Sequence, residues 1–594
     1  MMENPSAFVI EYHNRTKHRL ERYALGPETI DWEDQPDAFR RFNGCEIVEL
    51  PRPGNELDIL FSELDKPEAI APSSLSLDSI GLLLELAFGL SAWKQFGPSR
   101  WALRCNPSSG NLHPTEAYVV NTDPELIKPG VYHYVSHDHV LERRCEFRQD
   151  SSGTGIFIGL TSIHWREAWK YGERAFRYCQ HDTGHALGAL RYAASVLGWS
   201  VKLLAEWSDD DVANLLGINR HEDFHKKELE FPDIICRIHP NTESNTTINF
   251  LDLLERAKAG FWQGKAASLR AYHFYKWPII DEVAFAAVKP RTEESQRNPI
   301  KQKLILTDQD KLIPVMIQLP KDVPVTQAHL ELNQQTAVRL YAPVGTELVE
   351  GHFQQLYKSP CIKNATAIIR QRRSAQQFDG KMSPLPLIDF CRMLSAVLPA
   401  STIPFDVWHW KPKVHFFIFV HRVDGLEPGL YALPRSSEAL EKLRAATLPD
   451  FAWQQIKATS EISFTVLPLY HLHSGNCRQI AKTVSCHQPI ASDSAFSLAM
   501  VAEFRETVEA APWHYRRLFW ECGLIGQVLY LEAETAGVRG TGIGCYFDDS
   551  VHEILGFKDN TFQSLYHFTI GKPLEDKRLE TLPPYGHLNT YNRF

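Results

Sequence analysis

Displaced by 339 positions, the chain matches itself. Gly184–Gly217 falls on Gly523–Gly556 without a gap, pairing Leu190 with Leu529, Ala194 with Ala533, Gly198 with Gly537 and Asp209-Asp210 with Asp548-Asp549. In both copies apolar residues at helical spacing run up to a glycine, and two acidic residues then open a shorter helix that closes on Leu-Gly. A repeat of this kind makes each copy one structural unit, so the expectation is two equivalent domains. A second match, Pro129-Gly130-Val131-Tyr132 on Pro428-Gly429-Leu430-Tyr431, has an offset of 299, which puts about forty additional residues into the second copy. The polar, proline-bracketed run from Lys289 to Pro299 marks the boundary. We therefore read residues 1–288 as a first domain, 289–300 as a linker and 301–594 as a second domain with an insertion near 440–510.

Within each copy, Ala117–Val120 and Val414–Val420 read as buried strands, and Phe176–Gly198 and Trp513–Gly537 as long helices. The fold class is α+β, a central sheet with packed helices. Of 594 residues, 44% are hydrophobic and 23% charged, and the net charge is -9, so no basic surface is expected for a nucleic-acid partner. No apolar run reaches the roughly 20 residues a bilayer helix needs. The scattered cysteines and the absence of a secretion-type apolar stretch in MMENPSAFVIEYHNRTKHRL point to a reducing cytoplasm.

Two segments carry candidate chemistry. Arg372-Arg373-Ser374 puts two planar, multiply donating guanidinium groups beside a hydroxyl, a set suited to a phosphate monoester; the alternative is a solvated basic patch. In the other copy, Asn106-Pro107-Ser108-Ser109-Gly110-Asn111 forms a tight turn ahead of a strand, able to present N–H groups to a planar ligand, or else an ordinary loop. Neither copy repeats the other's segment. Gly537, Gly540, Gly542 and Gly544 follow a helix and precede a strand-like run, the reverse of a dinucleotide fingerprint, so they read as a loop passing close to a ligand. His181 and His185, and the scattered group His471, His473, Cys477, Cys486 and His487, lack metal-site spacing, and no metal is expected. A redox role for Cys486 or Cys545 has no support in the sequence.

Taken together, RRSAQQF from Arg372, PSSGNLHPTE from Pro107, WKYGERAFRY from Trp169 and GLIGQVLYLEAETAGVRGTGIGCYFDD from Gly523 resemble the FMN-dependent nitroreductase superfamily, and within it the SagB-type dehydrogenases that oxidise azolines in peptides. Members are usually homodimers with mostly antiparallel sheets and flavin at the interface. The resemblance implies a fused pseudo-dimer with one FMN, held by Arg372, Arg373, Ser374 and Gln376, by Gly542, Ile543, Gly544, Cys545 and Tyr546 along the ring edge, and by Lys577 or Arg578 at the phosphate. Pro107, Ser108, Ser109 and Asn111 would close the site from the other copy. Gln376 stands where relatives carry a basic residue, with Arg104 or Lys17 as candidates to compensate. Lys170 and Tyr171 match the pair that removes a substrate proton, with Arg174 and Arg177 in reach to lower their pKa values. The implied activity is two-electron transfer between flavin and a small-molecule or peptide-borne substrate. The alternatives are NAD(P)H-dependent nitro or quinone reduction, and a non-catalytic flavin- or peptide-binding partner in a modification complex.

Overall fold

The computed structural model of the chain describes residues 4–52, 57–66, 69–148, 155–225, 228–240, 250–269, 275–293, 362–456 and 467–589. The segment expected to be a linker, 289–300, is described only to residue 293, and the expected start of the second domain lies outside the described residues.

Two sheets with the same strand pattern form the frame. In the first, Gly130–Val135, Thr115–Asn121, Ile156–Ser162, Phe231–His239 and Ser200–Leu203 lie side by side, with Val140–Glu146, Phe261–Trp262 and Glu46–Glu49 beyond the Gly130 strand. In the second, Gly429–Leu433, Val414–Val420, Phe496–Glu503, Phe562–Gly571 and Arg539–Ile543 repeat that order, followed outward from Gly429 by Tyr470–Ser474 and Gln454–Gln455. All of these neighbours are antiparallel. Every residue of Val414–Val420 is buried, because helices cover one face and the second apolar cluster the other; this explains a run without polar alternation. The region 440–510 is not one excursion: Tyr470–Ser474 and Phe496–Glu503 are strands of the sheet proper. The additional chain is divided between the connections on either side of Tyr470–Ser474, which carry the Ser437–Ala446, Arg478–Val484 and Pro489–Asp493 helices.

The long helices Ala175–Val196 and His514–Thr535 make the most extensive contact between elements and bring the two copies together. Gly184 and Gly523, equivalent in the repeat, face each other where the helices cross. A methyl at Gly184 would collide with the Trp520 carbonyl, and one at Gly523 with the carbonyl of His181, the repeat equivalent of Trp520. Equivalent residues meeting each other define a pseudo-two-fold axis, the internal counterpart of an isologous dimer contact. Ion pairs obey the same symmetry. Arg177 Nη1 donates to Asp548 at 3.0 Å from the first copy, and Arg516 Nη1 donates to Asp209 at 2.5 Å from the second.

Both chain ends cross over. The Pro5–Arg15 helix packs on the second copy, with Ser6 Oγ donating to Val508 O at 3.0 Å and His13 Nε2 lying 3.2 Å from Gln563 Oε1. The Glu580–Leu582 strand pairs with Leu90–Phe96 of the first copy, and the Tyr585 hydroxyl accepts from Leu90 N at 2.9 Å. No helix among the described residues is long and apolar enough to cross a membrane.

Candidate active site

A cavity of about 700 Å³ opens where the two copies meet, and both candidate segments line it. The first-copy wall is the Asn106–Asn111 turn, in which Gly110 and Asn111 adopt left-handed φ values of 56° and 60°. Its side chains are spent on shaping the turn. Ser108 Oγ accepts from His113 N at 2.8 Å, Asn111 Nδ2 donates to Ala102 O at 2.8 Å, and Ser109 N and Oγ donate to Asp182 at 3.1 and 3.0 Å. What faces the cavity from this turn, Pro107 included, is therefore mainly backbone and small side chains.

The second-copy wall is stitched from the Arg372–Gln376 segment and the Arg539–Ile543 strand. Ala375 N donates to Gly540 O at 3.2 Å, Thr541 Oγ1 to Ala375 O at 2.8 Å, Gly542 N to the Tyr530 hydroxyl at 2.9 Å, and Ser374 Oγ lies 2.8 Å from that hydroxyl. Gly540 and Gly542 thus sit on an edge strand rather than in the expected loop. Ile543, Gly544 and Cys545 continue along the cavity, and the Gly544 carbonyl accepts from Arg174 Nη2 at 3.1 Å and the Tyr178 hydroxyl at 3.2 Å. Gln376 is exposed at the mouth.

Arg372 and Arg373 reach across to the first copy. Arg372 donates to the Cys105 and Arg104 carbonyls, both at 3.0 Å, and Arg373 Nη2 to Ser91 O at 2.9 Å. Burial and the neighbouring Arg372 push the Arg373 guanidinium down to about 10. Lys94 and Arg539 line the same end of the cavity; burial, and behind it the Arg373 and Arg539 charges, lower the Lys94 pKa against the opposing charge of Glu575. Arg539 is paired with Glu534 at 3.4 Å and Glu575 at 2.5 Å, so the positive charge left at this end comes chiefly from Arg372, Arg373 and Lys94, and it favours an anion. Buried Arg372 Nη1 has no hydrogen-bond partner, and Tyr171, Tyr178, Tyr530 and Tyr566 supply aromatic walls. An anionic, planar, drug-sized group such as FMN fits this donor set and volume.

Several sequence-derived candidates are placed elsewhere. Tyr546 is fully buried, its ring stacked on His567 at 4.4 Å and its hydroxyl donating to Ser564 O at 2.9 Å, so it belongs to the core. Lys577 and Arg578 are exposed and are not lining residues, although Asp576, with which Arg578 pairs at 2.7 Å, is one; Lys94 and Arg539 line the cationic end instead. Lys17 does not stand in for the missing charge at Gln376, being paired with Asp549 at 3.0 Å, and Arg104 lines the cavity but donates to the Thr115 and Ala38 carbonyls. Of Lys170 and Tyr171, only Tyr171 lines the cavity; Lys170 lies half-buried with its Nζ 5.8 Å from the Trp32 ring. Arg174 and Arg177 do not activate this pair, since both are committed to Asp548. Burial lowers the Lys170 pKa, and burial together with Glu167 raises that of Tyr171.

The structure adds Asp182, which in the sequence merely stands between His181 and His185. It lines the cavity beneath the Asn106–Asn111 turn, and burial lifts its carboxyl to about 7 against hydrogen bonds from Ser108 and Ser109. Glu167, whose buried oxygens have no partners, is held well above the carboxylate range by burial first and by Asp182 second. Burial keeps the flanking His181 and His185 neutral, His181 stacking on Tyr566 at 4.2 Å and His185 Nε2 lying 3.1 Å from the Tyr566 hydroxyl. The His471, His473, Cys477, Cys486 and His487 group is not gathered at one place; the one cluster of metal-ligand type among the described residues is His137, Asp138 and His587.

Fold and site together define a duplicated α+β unit with a cavity between its copies. This is the nitroreductase fold in tandem. A putative nitroreductase from Anabaena variabilis shares it over 96% of this chain and 99% of its own, with a TM-score of 0.60 at 20% identity. In sequence, the Putative nitroreductase MJ1384 of Methanocaldococcus jannaschii is 24% identical over 161 residues, 25% of this chain and 78% of that protein. The chain therefore has nitroreductase relatives both by sequence and by fold. A component of the E. coli microcin synthetase McbBCD complex with truncated pro-MccB17 bound aligns over 41% of this chain and 93% of its own at a TM-score of 0.24 and 18% identity. No family model matches the chain.

Proposed function

We propose that this chain is an FMN-dependent oxidoreductase of the SagB-type dehydrogenase and nitroreductase kind, holding one flavin per chain between its two copies. The observation that carries the reading is the shared cavity, whose cationic end comes chiefly from the second copy and whose opposing turn comes from the first. Arg372, Arg373, Lys94 and Arg539 would hold the phosphate, and Ser374 and the Gly542–Cys545 backbone would run along the ring. When bound, the flavin supplies two-electron chemistry.

The residues themselves orient the substrate and handle its proton. The tyrosine walls restrict a substrate to a flat approach and exclude water. With a carboxyl balanced near 7, Asp182 can accept or release a proton at neutral pH, the property a general acid–base requires, and the Tyr171 hydroxyl adds a donor beside the Asn106–Asn111 turn. Oxidation of a C–N bond in a small or peptide-borne substrate is the leading direction. The likeness to a putative nitroreductase of Methanocaldococcus favours nitro-group reduction, with NAD(P)H as donor, as a second reading.

The test is the absorbance spectrum and flavin-to-chain ratio of purified protein, beside Arg372→Ala/Arg373→Ala and Asn111→Ala variants. One FMN per chain, lost in either variant, is the expected result. Two per chain would overturn the shared single site, and none after reconstitution would favour a non-catalytic binding partner. Anaerobic reduction by NAD(P)H then separates the two directions.

A further inference from the structure

Cys545 and Cys486 lie on different segments, 59 residues apart, with their sulfurs 2.7 Å from each other. Cys545 lines the cavity, and neither thiol is fully buried. Two anchored segments hold the pair. Cys486 and His487, just past the Arg478–Val484 helix, both adopt left-handed conformations, with φ of 51° and 59°, a costly arrangement for non-glycine residues that tends to gather at functional sites. Phe547 N donates to Val484 O at 2.8 Å and Gln488 Nε2 to Cys545 O at 3.1 Å, so hydrogen bonds tie the segments together on either side of the sulfurs.

The surroundings distinguish the two thiols. Cys545 is hydrogen-bonded by Cys486 and by His18, whose Nδ1 accepts from Ala24 N at 2.9 Å, and it has the Arg174 guanidinium nearby. Against burial, these hold its pKa below the ordinary thiol value. Cys486, facing Tyr23 and Asp548 as well as Cys545, is raised. Most of the remaining described cysteines are buried thiols without a sulfur partner, such as Cys105, which burial pushes up to about 12. One low-pKa thiol open to a cavity, with a second thiol against it, is the arrangement of an attacking and a resolving cysteine.

We propose that Cys545 and Cys486 form a thiol–disulfide exchange centre in the cavity wall, acting on low-molecular-weight disulfides. The Cys545 thiolate attacks one sulfur of the small disulfide, breaking its S–S bond, forming a mixed disulfide and expelling one thiolate. Cys486 then gives up its proton to that thiolate and attacks the Cys545 sulfur, forming the protein disulfide and expelling the second thiolate, which takes a proton from solvent. The small disulfide gains two electrons and two protons, and the protein dithiol is oxidised by two electrons.

The test uses the full chain, pre-reduced and desalted, exposed to oxidised glutathione both as isolated and after flavin removal, so that its outcome does not depend on the cofactor assignment. In wild-type protein, intact mass should fall by two hydrogens, two thiols should disappear from a colorimetric count, and peptide mapping should join Cys486 to Cys545. In Cys486→Ser the glutathionyl adduct should remain on Cys545, and Cys545→Ser should show at least a tenfold slower modification of Cys486. A competition with iodoacetamide on the wild type, reading the two peptides separately, keeps the test valid if a variant misfolds; Cys545 should be alkylated at least tenfold faster. Equal reactivity of the two thiols, a crosslink between other cysteines, or no loss of thiols under glutathione would overturn the proposal.

Discussion

Replacing Asp548 by asparagine should weaken the chain far more than the same change at its repeat equivalent, Asp209. Asp548 is fully buried and accepts from Arg174 Nη1 at 3.1 Å, Arg177 Nη1 at 3.0 Å and His18 N at 3.0 Å. Among the described residues, no other carboxylate lies within ion-pair distance of either guanidinium. The two arginines hold its carboxyl down to about 2 against the opposing effect of burial, which from an ordinary value near 4 corresponds to about 2–3 kcal/mol of stability at neutral pH. Removing the charge leaves two buried cations uncompensated, and breaking a buried pair in this way costs about 3–5 kcal/mol. Asp209 differs because its partner Arg516 is also held by Asp233 at 3.2 Å, and because burial raises the Asp209 carboxyl rather than lowering it. Its replacement should cost no more than about 1–2 kcal/mol. Asp549, one third exposed and paired with Lys17 and Arg19, each at 3.0 Å, provides a control expected to change stability by less than about 1 kcal/mol. Urea unfolding at pH 7, compared at equal slope, measures all three. The pH dependence has a definite sign. A depressed carboxyl stabilises above its unfolded pKa, so the Asp548 contribution should be intact above about pH 4 and vanish as pH falls towards 2. A loss for Asp548→Asn equal to or smaller than that for Asp209→Asn would refute the argument.

Asp182 makes the opposite prediction: its folded carboxyl keeps a proton up to about pH 7 whereas the unfolded one releases it near 4, so stability falls as pH rises between these values, by about 4 kcal/mol. Asp182→Asn should flatten that slope in pH-dependent denaturation and remove an inflection near 7 from any turnover profile. Tyr171→Phe, which loses a hydroxyl at the cavity, should lower turnover by about 10²-fold or more, whereas Lys170→Met, off the lining, should have a smaller effect; equal losses would place Lys170 in the reaction. Gly184→Val should destabilise the helix crossing, read as a lowered Tm, because its side chain must enter the space of the Trp520 backbone.

Much of the architecture was legible because repeats and periodicity are local signals. The Ala175–Val196 and His514–Thr535 helices, the Val414–Val420 strand and the duplication could be read directly from spacing. The cavity-lining segments were legible as well, since turn-forming and phosphate-binding residue types cluster in sequence. What escaped depends on distant contacts. Arg174 and Arg177 sit beside Lys170 in sequence, yet their partner is Asp548, more than 370 residues away. Tyr546 follows cavity residues but points into the core, a consequence of side-chain direction along the chain that motif matching does not capture. Asp182 carries no signal of its own between His181 and His185, and only its burial beneath the Asn106–Asn111 turn gives it an unusual titration. Lys94 belongs to a hairpin without any phosphate-binding signature, and became part of the cationic end only through pairing of its strand with Glu580–Leu582.

The exchange of chain ends bears on how this protein is made. His13 contacts Gln563 across 550 residues, and the strand that completes the Leu90–Phe96 hairpin is made only after the sheet of the second copy has been synthesised. A first copy emerging at about 5–20 residues per second waits through the synthesis of the second before its open edge is covered and its leading helix finds a seat. The nascent chain therefore carries an unpaired strand edge and an unplaced amphipathic helix for tens of seconds, which makes the interval of translation, rather than the finished molecule, the stage at which chaperones have most to protect.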